Sequence, residues 1–119
     1  MATDFDVDEF RDCSCLRLRR AARDATRIYD GYLEPAGLGA NQLTLLVMLQ
    51  GAAEQEGNGV TAVVLAGYFG ADPTTLSRNL KPLIKRGLIA VRPAPGDRRS
   101  RLLRITAKGE AKLREAGPF

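Results

Sequence analysis

An amphipathic helix that runs into a basic hairpin is the feature that most constrains what this chain can fold into. The segment 71–104 reads ADPTTLSRNLKPLIKRGLIAVRPAPGDRRSRLLR. Asp72 suits a helix N-cap, Pro73 suits the first helical position, and Gly87 supplies a left-handed stop. Between them, apolar residues recur at helical spacing on one face: Leu76, Leu80, Leu83 and Ile84. Pro82 removes one backbone hydrogen bond, but the apolar stripe continues past it, so we expect one bent helix.

The remaining face of this helix carries hydroxyls, an amide and cations. Its residues are Thr74, Thr75, Ser77, Arg78, Asn79, Lys81 and Lys85. Such groups reach phosphate oxygens or base edges in a major groove, so we predict a DNA-binding face. Within it, Arg78 and Asn79 are the predicted base contacts.

Residues 88–92 and 101–106 are rich in apolar and β-branched residues, and prolines and a glycine interrupt the chain between them. This pattern predicts a hairpin with a long loop. The predicted tip carries Asp97, Arg98, Arg99 and Arg101, with the arginines directed to a minor groove and Asp97 orienting a neighbouring arginine. The alternative is that these arginines are only solvated. From Arg78 to Lys108 the chain has ten basic residues against one acidic residue, which favours an anionic partner.

Composition excludes several function classes. The 119 residues suffice for one domain and contain no histidine, which removes the commonest general base and metal ligand. Two cysteines cannot form a four-ligand zinc site alone, and no nucleophile has a visible activating arrangement. We therefore expect no catalytic residue, no metal and no cofactor. The sequence shows no membrane-spanning run, and its first twelve residues are acidic where a signal peptide is positive, so the expected location is the cytoplasm.

Three helices are predicted before the basic segment. Residues 9–33 form a long first helix that is apolar over more than one face near its ends. It is either a helix that packs against a second subunit or an ordinary core helix with a solvated arginine side. Residues 41–53 form a buried second helix that ends around Gly51.

The third helix completes a recognisable motif. It follows an N-cap at Thr61, and its predicted buried side is Val64, Leu65, Tyr68 and Phe69. Gly70 makes the turn into the amphipathic helix. Helix, glycine turn and second helix with a polar outer face form a helix-turn-helix, and the hairpin makes it the winged version.

The sequence of residues 38–110, in the order and identity of its motifs, resembles the MarR family of bacterial transcription regulators. The matching pieces are Gln42 before an apolar helix, Leu65 and Ala66, TTLSRNLKPLIKRGLI, the wing DRRSR and the LRITAKGE that opens the next helix. The resemblance implies a mainly α fold with a small β-hairpin: a winged helix-turn-helix with N- and C-terminal dimerisation helices. The predicted layout is a single domain over 1–119, with a dimerisation helix at 9–34, the winged helix-turn-helix at 38–106 and the start of a C-terminal dimerisation helix at 107–119.

The same resemblance implies a function. It implies a homodimer whose two recognition helices enter successive major grooves of a pseudo-palindromic operator. Thr75, Ser77, Arg78 and Asn79 would face the groove, and Asp97 and Arg99 would form the wing pair. The implied activity is repression, relieved by a small phenolic or other amphipathic ligand or by an oxidant.

Two departures from the family pattern stand out. The final helix, from about Ala107, runs only to Glu115, where family members continue; either the sequence is a fragment or dimerisation relies on less. Gly39 occupies a position where the family commonly has a threonine cap, which weakens the start of the second helix by a few tenths of a kcal/mol, roughly.

Cys15 supports a sharper hypothesis. With Tyr29 fourteen residues later, it resembles the first helix of the peroxide-sensing OhrR branch, although Arg19 replaces a tyrosine of that branch. Arg17 and Arg19 supply positive charge that favours a reactive thiolate. The alternative is a cysteine that only fills space. Cys13 and Cys15 are not expected to bridge, because two residues turn a helix by about 200°.

The sequence thus predicts a winged helix-turn-helix regulator that binds double-stranded DNA as a homodimer, with no membrane partner. The rival interpretation is a winged-helix module whose basic face binds an acidic protein. Sequence preference separates the two, because a groove reader should favour its operator over random DNA by about 10³-fold or more.

Overall fold

The fold combines helices of 5 to 20 residues with a small antiparallel sheet. In the computed structural model, residues 6–56 and 59–117 are described, except for the side chains of Glu56, Asp97 and Arg98. Over these residues the elements are α1 (Val7–Arg11), α2 (Ser14–Leu33), a 3-10 turn (Glu34–Ala36), α3 (Ala40–Glu56), β1 (Val60–Thr61), α4 (Ala62–Phe69), α5 (Pro73–Lys85), β2 (Ile89–Ala94), β3 (Asp97–Ile105) and α6 (Ala107–Ala116). This mainly helical chain with a small antiparallel sheet agrees with the predicted fold class.

The core is formed around α3, which supplies three of the most deeply buried side chains. The fully buried residues are Leu45, Leu46, Leu49, Leu65, Leu83, Leu88 and Ile89. The helix is longer than predicted, because Gly51 lies within it and does not end it. A glycine inside a helix lowers its stability by roughly 0.5–1 kcal/mol relative to alanine, which tertiary packing on both sides can offset.

The start of α3 is held without the threonine that the family commonly has there. The side chain of Gln42 accepts a hydrogen bond from the Gly39 amide at 3.1 Å. Asp30, near the end of α2, accepts from the Ala40 amide at 2.7 Å. A carboxylate at a helix N-terminus satisfies amides that have no intrahelical partner, so the cap comes from the preceding helix.

The predicted single first helix is in fact two. Asp12 ends α1, and Cys13 has an extended backbone with φ −62° and ψ 123° before α2 begins. Arg17 donates to the Asp12 carboxylate at 2.6 Å across the break, and Asp6 caps α1. The bond between Arg17 and Asp12 therefore spans the break, whereas Cys13 provides no side-chain cap for α2.

The exposure of the apolar residues in α2 bears on the two interpretations of this helix. Leu33 is its only buried residue, whereas Leu18, Ile28, Tyr29 and Tyr32 are exposed. As part of a single chain, α2 is therefore not an ordinary core helix.

The local geometry of α5 confirms most of its prediction. Asp72 accepts a hydrogen bond from the Thr75 amide at 2.8 Å, Pro73 is the first helical residue, and Gly87 adopts the left-handed conformation at φ 75°. The helix continues past Pro82 to Lys85. Leu76, Leu80 and Leu83 are buried as predicted, but Ile84 is 37% exposed because it lies toward the edge of the apolar face.

In α4, the predicted capping and turn are correct but the predicted buried side is only partly so. Thr61 accepts from the Val64 amide, Gly70 is left-handed, Leu65 is buried and Phe69 is half-buried. Val64 and Tyr68 are exposed instead. The sequence AVVLAGYF is apolar all round, so its pattern could not indicate which side faces the core.

The sheet has the strand order β1-β3-β2 and is antiparallel throughout. The two-residue strand β1 was not predicted, because two residues are too few for a pattern. The predicted long loop was also wrong, since β2 continues through Pro93 to Ala94 and only Pro95 and Gly96 form the turn. A proline is tolerated here because β2 is an edge strand, and Gly96 has φ 78°. Finally, Thr106 caps α6, which spans the predicted residues.

Candidate nucleic-acid interface

A straight row of exposed polar side chains runs along α5. Thr74, Arg78, Lys81 and Lys85 are all exposed, and their spacing of four, three and four residues keeps them on one helix face. The buried leucines of α5 occupy the opposite face. The leucines fix the helix against α3 and the sheet, so this row is presented outward on a rigid support. It carries three of the positive charges that the sequence assigned to DNA.

The remaining predicted contacts of α5 flank this row and are half-buried: Thr75, Ser77 and Asn79. The side-chain nitrogen of Asn79 donates to the Thr75 carbonyl, one turn earlier, at 2.9 Å. A bidentate contact of Asn79 with a base therefore requires this bond to open first. Arg78 lies on the exposed row and makes no side-chain hydrogen bond within the part of the chain that the structure describes, so it is the better placed of the two predicted base contacts.

The N-terminus of α5 is fixed by a charged cap. Hydrogen bonds from the Thr75 amide and side chain hold the pKa of the Asp72 carboxyl below its usual range, with smaller contributions from Thr74 and from the charge of Arg78. An ionised cap satisfies orphan amides of the first turn. The Asp72 cap therefore fixes where α5 starts, and with it the start of the exposed polar row.

The wing is a β-ladder with an irregularity at its tip. Pro93 is opposite Arg101 and Ala94 is opposite Asp97, so residues 98–100 of β3 lie between consecutive partners of β2. Such bulges bend a strand and redirect its side chains. Arg99 and Arg101 are exposed. The side chains of Asp97 and Arg98 lie outside the described residues, so the orienting role of Asp97 stays a prediction.

The helix and the wing share one cleft. Ser77 and Lys81 of α5 and Arg101 of β3 border a cavity of about 360 Å³ whose remaining lining is mostly apolar and includes Val63 and Leu103. Lys81 of the polar row and Arg101 at the base of the wing therefore border the same cleft. Cations on a helix and on an adjacent strand that border one cleft suit contact with a single anionic partner.

Two of the ten clustered basic residues are directed elsewhere, which the sequence analysis missed. A guanidinium nitrogen of Arg86 donates to the Gly37 carbonyl at 2.6 Å, and Lys108 donates to the Arg86 carbonyl at 2.8 Å. Both bonds join segments distant in sequence. A count of charges could not reveal these two bonds, because a sequence does not distinguish a basic residue that donates to a backbone carbonyl from one that faces DNA.

Within one chain, the Cys15 thiol is separated from Tyr29, the tyrosine predicted to lie beside it. Cys15 is exposed and Cys13 is half-buried. Cys15 and Tyr29 lie on the same helix fourteen residues apart, or about 21 Å along its axis, so they do not meet within one chain. Arg17 is bound to Asp12. Because Cys13 precedes α2, the argument that one helix holds both sulfurs apart does not apply.

Two features of the described residues concern metal binding and membrane insertion. No group of three or more metal-ligating side chains is present among them. Within the same residues, none of the helices combines the length and the hydropathy needed to cross a membrane.

The comparisons with known proteins agree on one family. A model of the MarR family matches residues 36–100. The chain is 36% identical to the M. tuberculosis transcriptional regulator MosR solved in complex with DNA, with 87% of this chain and 71% of that chain covered and a TM-score of 0.75. No sequence among the curated proteins matches the chain.

Two further solved structures are similar. The transcriptional repressor CouR, bound to a 23-mer DNA duplex, is 25% identical over 96% of this chain and 77% of its own, with a TM-score of 0.76. A mutant of MarR from E. coli complexed with operator DNA is 26% identical over 83% of this chain and 67% of its own, with a TM-score of 0.74. All three were therefore solved on DNA.

Proposed function

The chain belongs to the MarR family and is a non-enzymatic, DNA-binding transcriptional regulator, and from this premise we propose that it is a homodimeric repressor of a pseudo-palindromic operator. The observation that carries the proposal is the set of exposed cations on the row of α5 and on the wing, which come together where Lys81 and Arg101 border one cleft. One such set per chain reads one half-site, and two-fold symmetry of the protein then requires two half-sites.

We assign the contacts on this surface by position. Arg78, on the exposed row, reads base edges, with Asn79 joining when its bond to Thr75 opens. Thr74, Thr75, Ser77, Lys81 and Lys85 hold the backbone around the major groove. Arg98, Arg99 and Arg101 of the wing approach the minor groove, with Asp97 orienting one of them.

The dimer in this proposal forms through α2. Its exposed residues Leu18, Ala22, Ala25, Tyr29 and Tyr32 repeat with spacings of four, three, four and three residues, which is the pattern of a helix-pairing seam. Leu18 is 69% and Tyr32 is 83% exposed in the single chain. The two alanines allow close approach of a second helix. A second copy of α2 is the occupant that matches this seam along its whole length.

The geometry of that pairing also bears on Cys15. A symmetric antiparallel pair centred on Ala22 brings residue 15 of one helix beside residue 29 of the other. The exposed Cys15 thiol would then lie next to Tyr29 of the partner subunit, which one chain alone does not allow. In this arrangement, oxidation of Cys15 changes the packing of the seam and thereby the separation of the two reading surfaces.

A small ligand is the other proposed effector. A cavity of about 250 Å³ lies between α3 and α4 and is lined by uncharged residues, including Met48, Val64 and Tyr68. Its size and lining suit a one- or two-ring amphipathic molecule. A ligand bound in this cavity would contact α4, the helix that precedes α5.

The test is selection of bound sites from random duplex DNA, followed by measurement of the stoichiometry of the complex. We expect a site with dyad symmetry and two chains per duplex. Enrichment of a site without symmetry, bound by one chain, would contradict the dimeric model. No enrichment over the starting pool would instead favour the rival interaction with an acidic protein.

The effector is tested on the selected site with and without peroxide, and with a phenol as the ligand probe. Under the oxidant model, peroxide releases the wild-type protein but not Cys15→Ser. Release of both proteins by peroxide would mean that a residue other than Cys15 senses the oxidant. Release by the phenol alone would favour the cavity between α3 and α4 as the effector site.

A further inference from the structure

Arg86 joins three parts of the molecule at a single point. It lies at the C-terminal end of α5 and is half-buried. Its guanidinium donates to the carbonyl of Gly37, forty-nine residues earlier in the chain, at 2.6 Å. Gly37 belongs to the short linker between α2 and α3. The recognition helix is therefore bound directly to the segment that leads from the first long helix.

The backbone at the end of α5 is held from a second side. Lys108 of α6 donates to the Arg86 carbonyl at 2.8 Å, and Thr106 donates through its hydroxyl to the Gly87 carbonyl at 2.6 Å. Carbonyls at the end of a helix have no intrahelical partner, so these bonds satisfy groups that would otherwise face water. The end of α5 is thus fixed to both the linker and α6.

The linker is shaped to receive the guanidinium. Gly37 has a left-handed backbone with φ 71°, and a side chain there would come within 3.2 Å of a guanidinium nitrogen of Arg86. A planar guanidinium with several fixed donors holds one orientation better than a lysine does. The contact therefore restrains an angle as well as a distance.

We infer that Arg86 is a positioning residue for DNA reading, because its bond to Gly37 fixes the angle between the recognition helix and α2. This inference rests on the proposed dimer through α2. In such a dimer, that angle sets the separation between the two recognition helices, and hence the half-site spacing that the protein prefers. Arg86 then governs spacing without touching DNA, although it belongs to the basic cluster of the sequence.

The experiment compares Arg86→Gln with the wild type on the selected operator and on versions with the half-sites moved by one and two base pairs. Arg20→Gln, which removes an exposed arginine on the side of α2 away from the proposed seam, is the matched control. We expect Arg86→Gln to bind the original operator about 5- to 150-fold more weakly, the range of typical coupling between sites, and to lose most of its preference among spacings. Arg20→Gln should keep both, and Arg86→Lys should recover part of the preference.

Two further readouts separate positioning from contact. Base substitutions within one half-site should cost Arg86→Gln as much as they cost the wild type. The slope of log affinity against log salt should stay unchanged, whereas loss of a phosphate contact lowers it by about one. A lowered slope with an intact spacing preference would overturn the inference and make Arg86 a phosphate contact.

Gly37→Ala keeps the test decisive if Arg86→Gln does not fold, because its Cβ atom would come within 3.2 Å of a guanidinium nitrogen of Arg86 and disturb the same bond from the other side. We expect it to weaken the spacing preference in the same direction. A folded Gly37→Ala or Arg86→Gln with the full wild-type preference would overturn the role of Arg86 alone. If the wild type shows no preferred spacing between half-sites, the proposed dimer would be overturned as well.

Discussion

At the scale of single residues, the function of this surface depends on how each polar side chain is held. Within the described residues, no side-chain hydrogen bond holds the exposed row of α5, whereas Asn79 donates to the Thr75 carbonyl and Arg86 donates to the Gly37 carbonyl. Polar side chains of one basic segment are therefore held in three different ways, and we propose a different role for each. Mutations can separate them, because each role affects a different measured quantity.

Arg78→Ala and Arg99→Ala should differ in what they change. Loss of Arg78 removes a base contact, so we expect the ratio of operator to random-DNA affinity to fall by about tenfold or more. Loss of Arg99 should weaken binding to every sequence alike and lower the salt slope by about one. Titrations on both DNAs at several salt concentrations measure these effects. If both substitutions change selectivity equally, the assignment of the two faces is wrong.

Asp72→Ala and Asp72→Asn test the cap of α5. Both remove the carboxylate, but asparagine remains a good N-cap, so alanine should lower the melting temperature by roughly 3–8 °C and asparagine by much less. The pKa of Asp72 is lowered in the folded state, so its stabilisation is complete above the unfolded pKa and is lost as the pH falls through the folded value. Melting curves from pH 7 to pH 2 should show this acid loss in the wild type and not in Asp72→Asn.

At the scale of elements, close approaches determine how the wing and the last helix are placed. Gly109, in the first turn of α6, is buried, and a Cβ atom there would collide with the Leu88 carbonyl and lie 2.7 Å from a carbon of Ile105. A glycine at this position lets α6 pack directly on the strand that follows the recognition helix. Gly67 of α4, in contrast, has open space where a Cβ atom would lie.

The two glycines make a matched pair for substitution by alanine. Gly109→Ala should destabilise the protein by about 1–3 kcal/mol through overpacking. Gly67→Ala should stabilise it by about 0.5–1 kcal/mol, because alanine favours the helix and nothing obstructs it. Urea unfolding measures both. A neutral Gly109→Ala would mean that α6 can move away from Leu88 without cost.

The seam of α2 is tested by replacing residues on opposite sides of one helix. Leu18→Gln lies on the seam, and Arg20→Gln lies on the far side, 200° away for an ideal helix, roughly. We expect Leu18→Gln to weaken self-association and operator binding by about tenfold or more, since one buried leucine contributes roughly 1.5–3 kcal/mol per chain. Arg20→Gln should leave both unchanged. Equal association of the two variants in sedimentation equilibrium would argue against this seam.

At the scale of the whole molecule, the sequence predicted those parts in which a local signal has one structural meaning. Asp72, Pro73 and Gly87 bound the recognition helix where expected, and the leucines at helical spacing defined its buried face. The family pattern supplied the overall fold. The polar row of α5 followed directly from the positions that the leucines left free.

The parts that were not predicted depend on tertiary contacts. The break at Cys13, the exposure of Tyr68 and the short turn after Pro93 each depend on what packs beside the segment. The bond between Arg86 and Gly37 spans forty-nine residues, and no local pattern encodes it. The exposed seam of α2 is a different case. Its apolar stripe predicts burial, but the pattern does not indicate whether the same chain or a second subunit covers it.

Sequence-selective DNA binding is the central claim, and a competition titration tests it most directly. The protein in its full natural length is titrated with its own upstream DNA and with a scrambled duplex of equal length and composition, at one fixed salt concentration. We predict a preference of about 10³-fold or more for the upstream DNA, which Arg78→Ala reduces. Equal affinity of the wild type for the two duplexes would contradict the account.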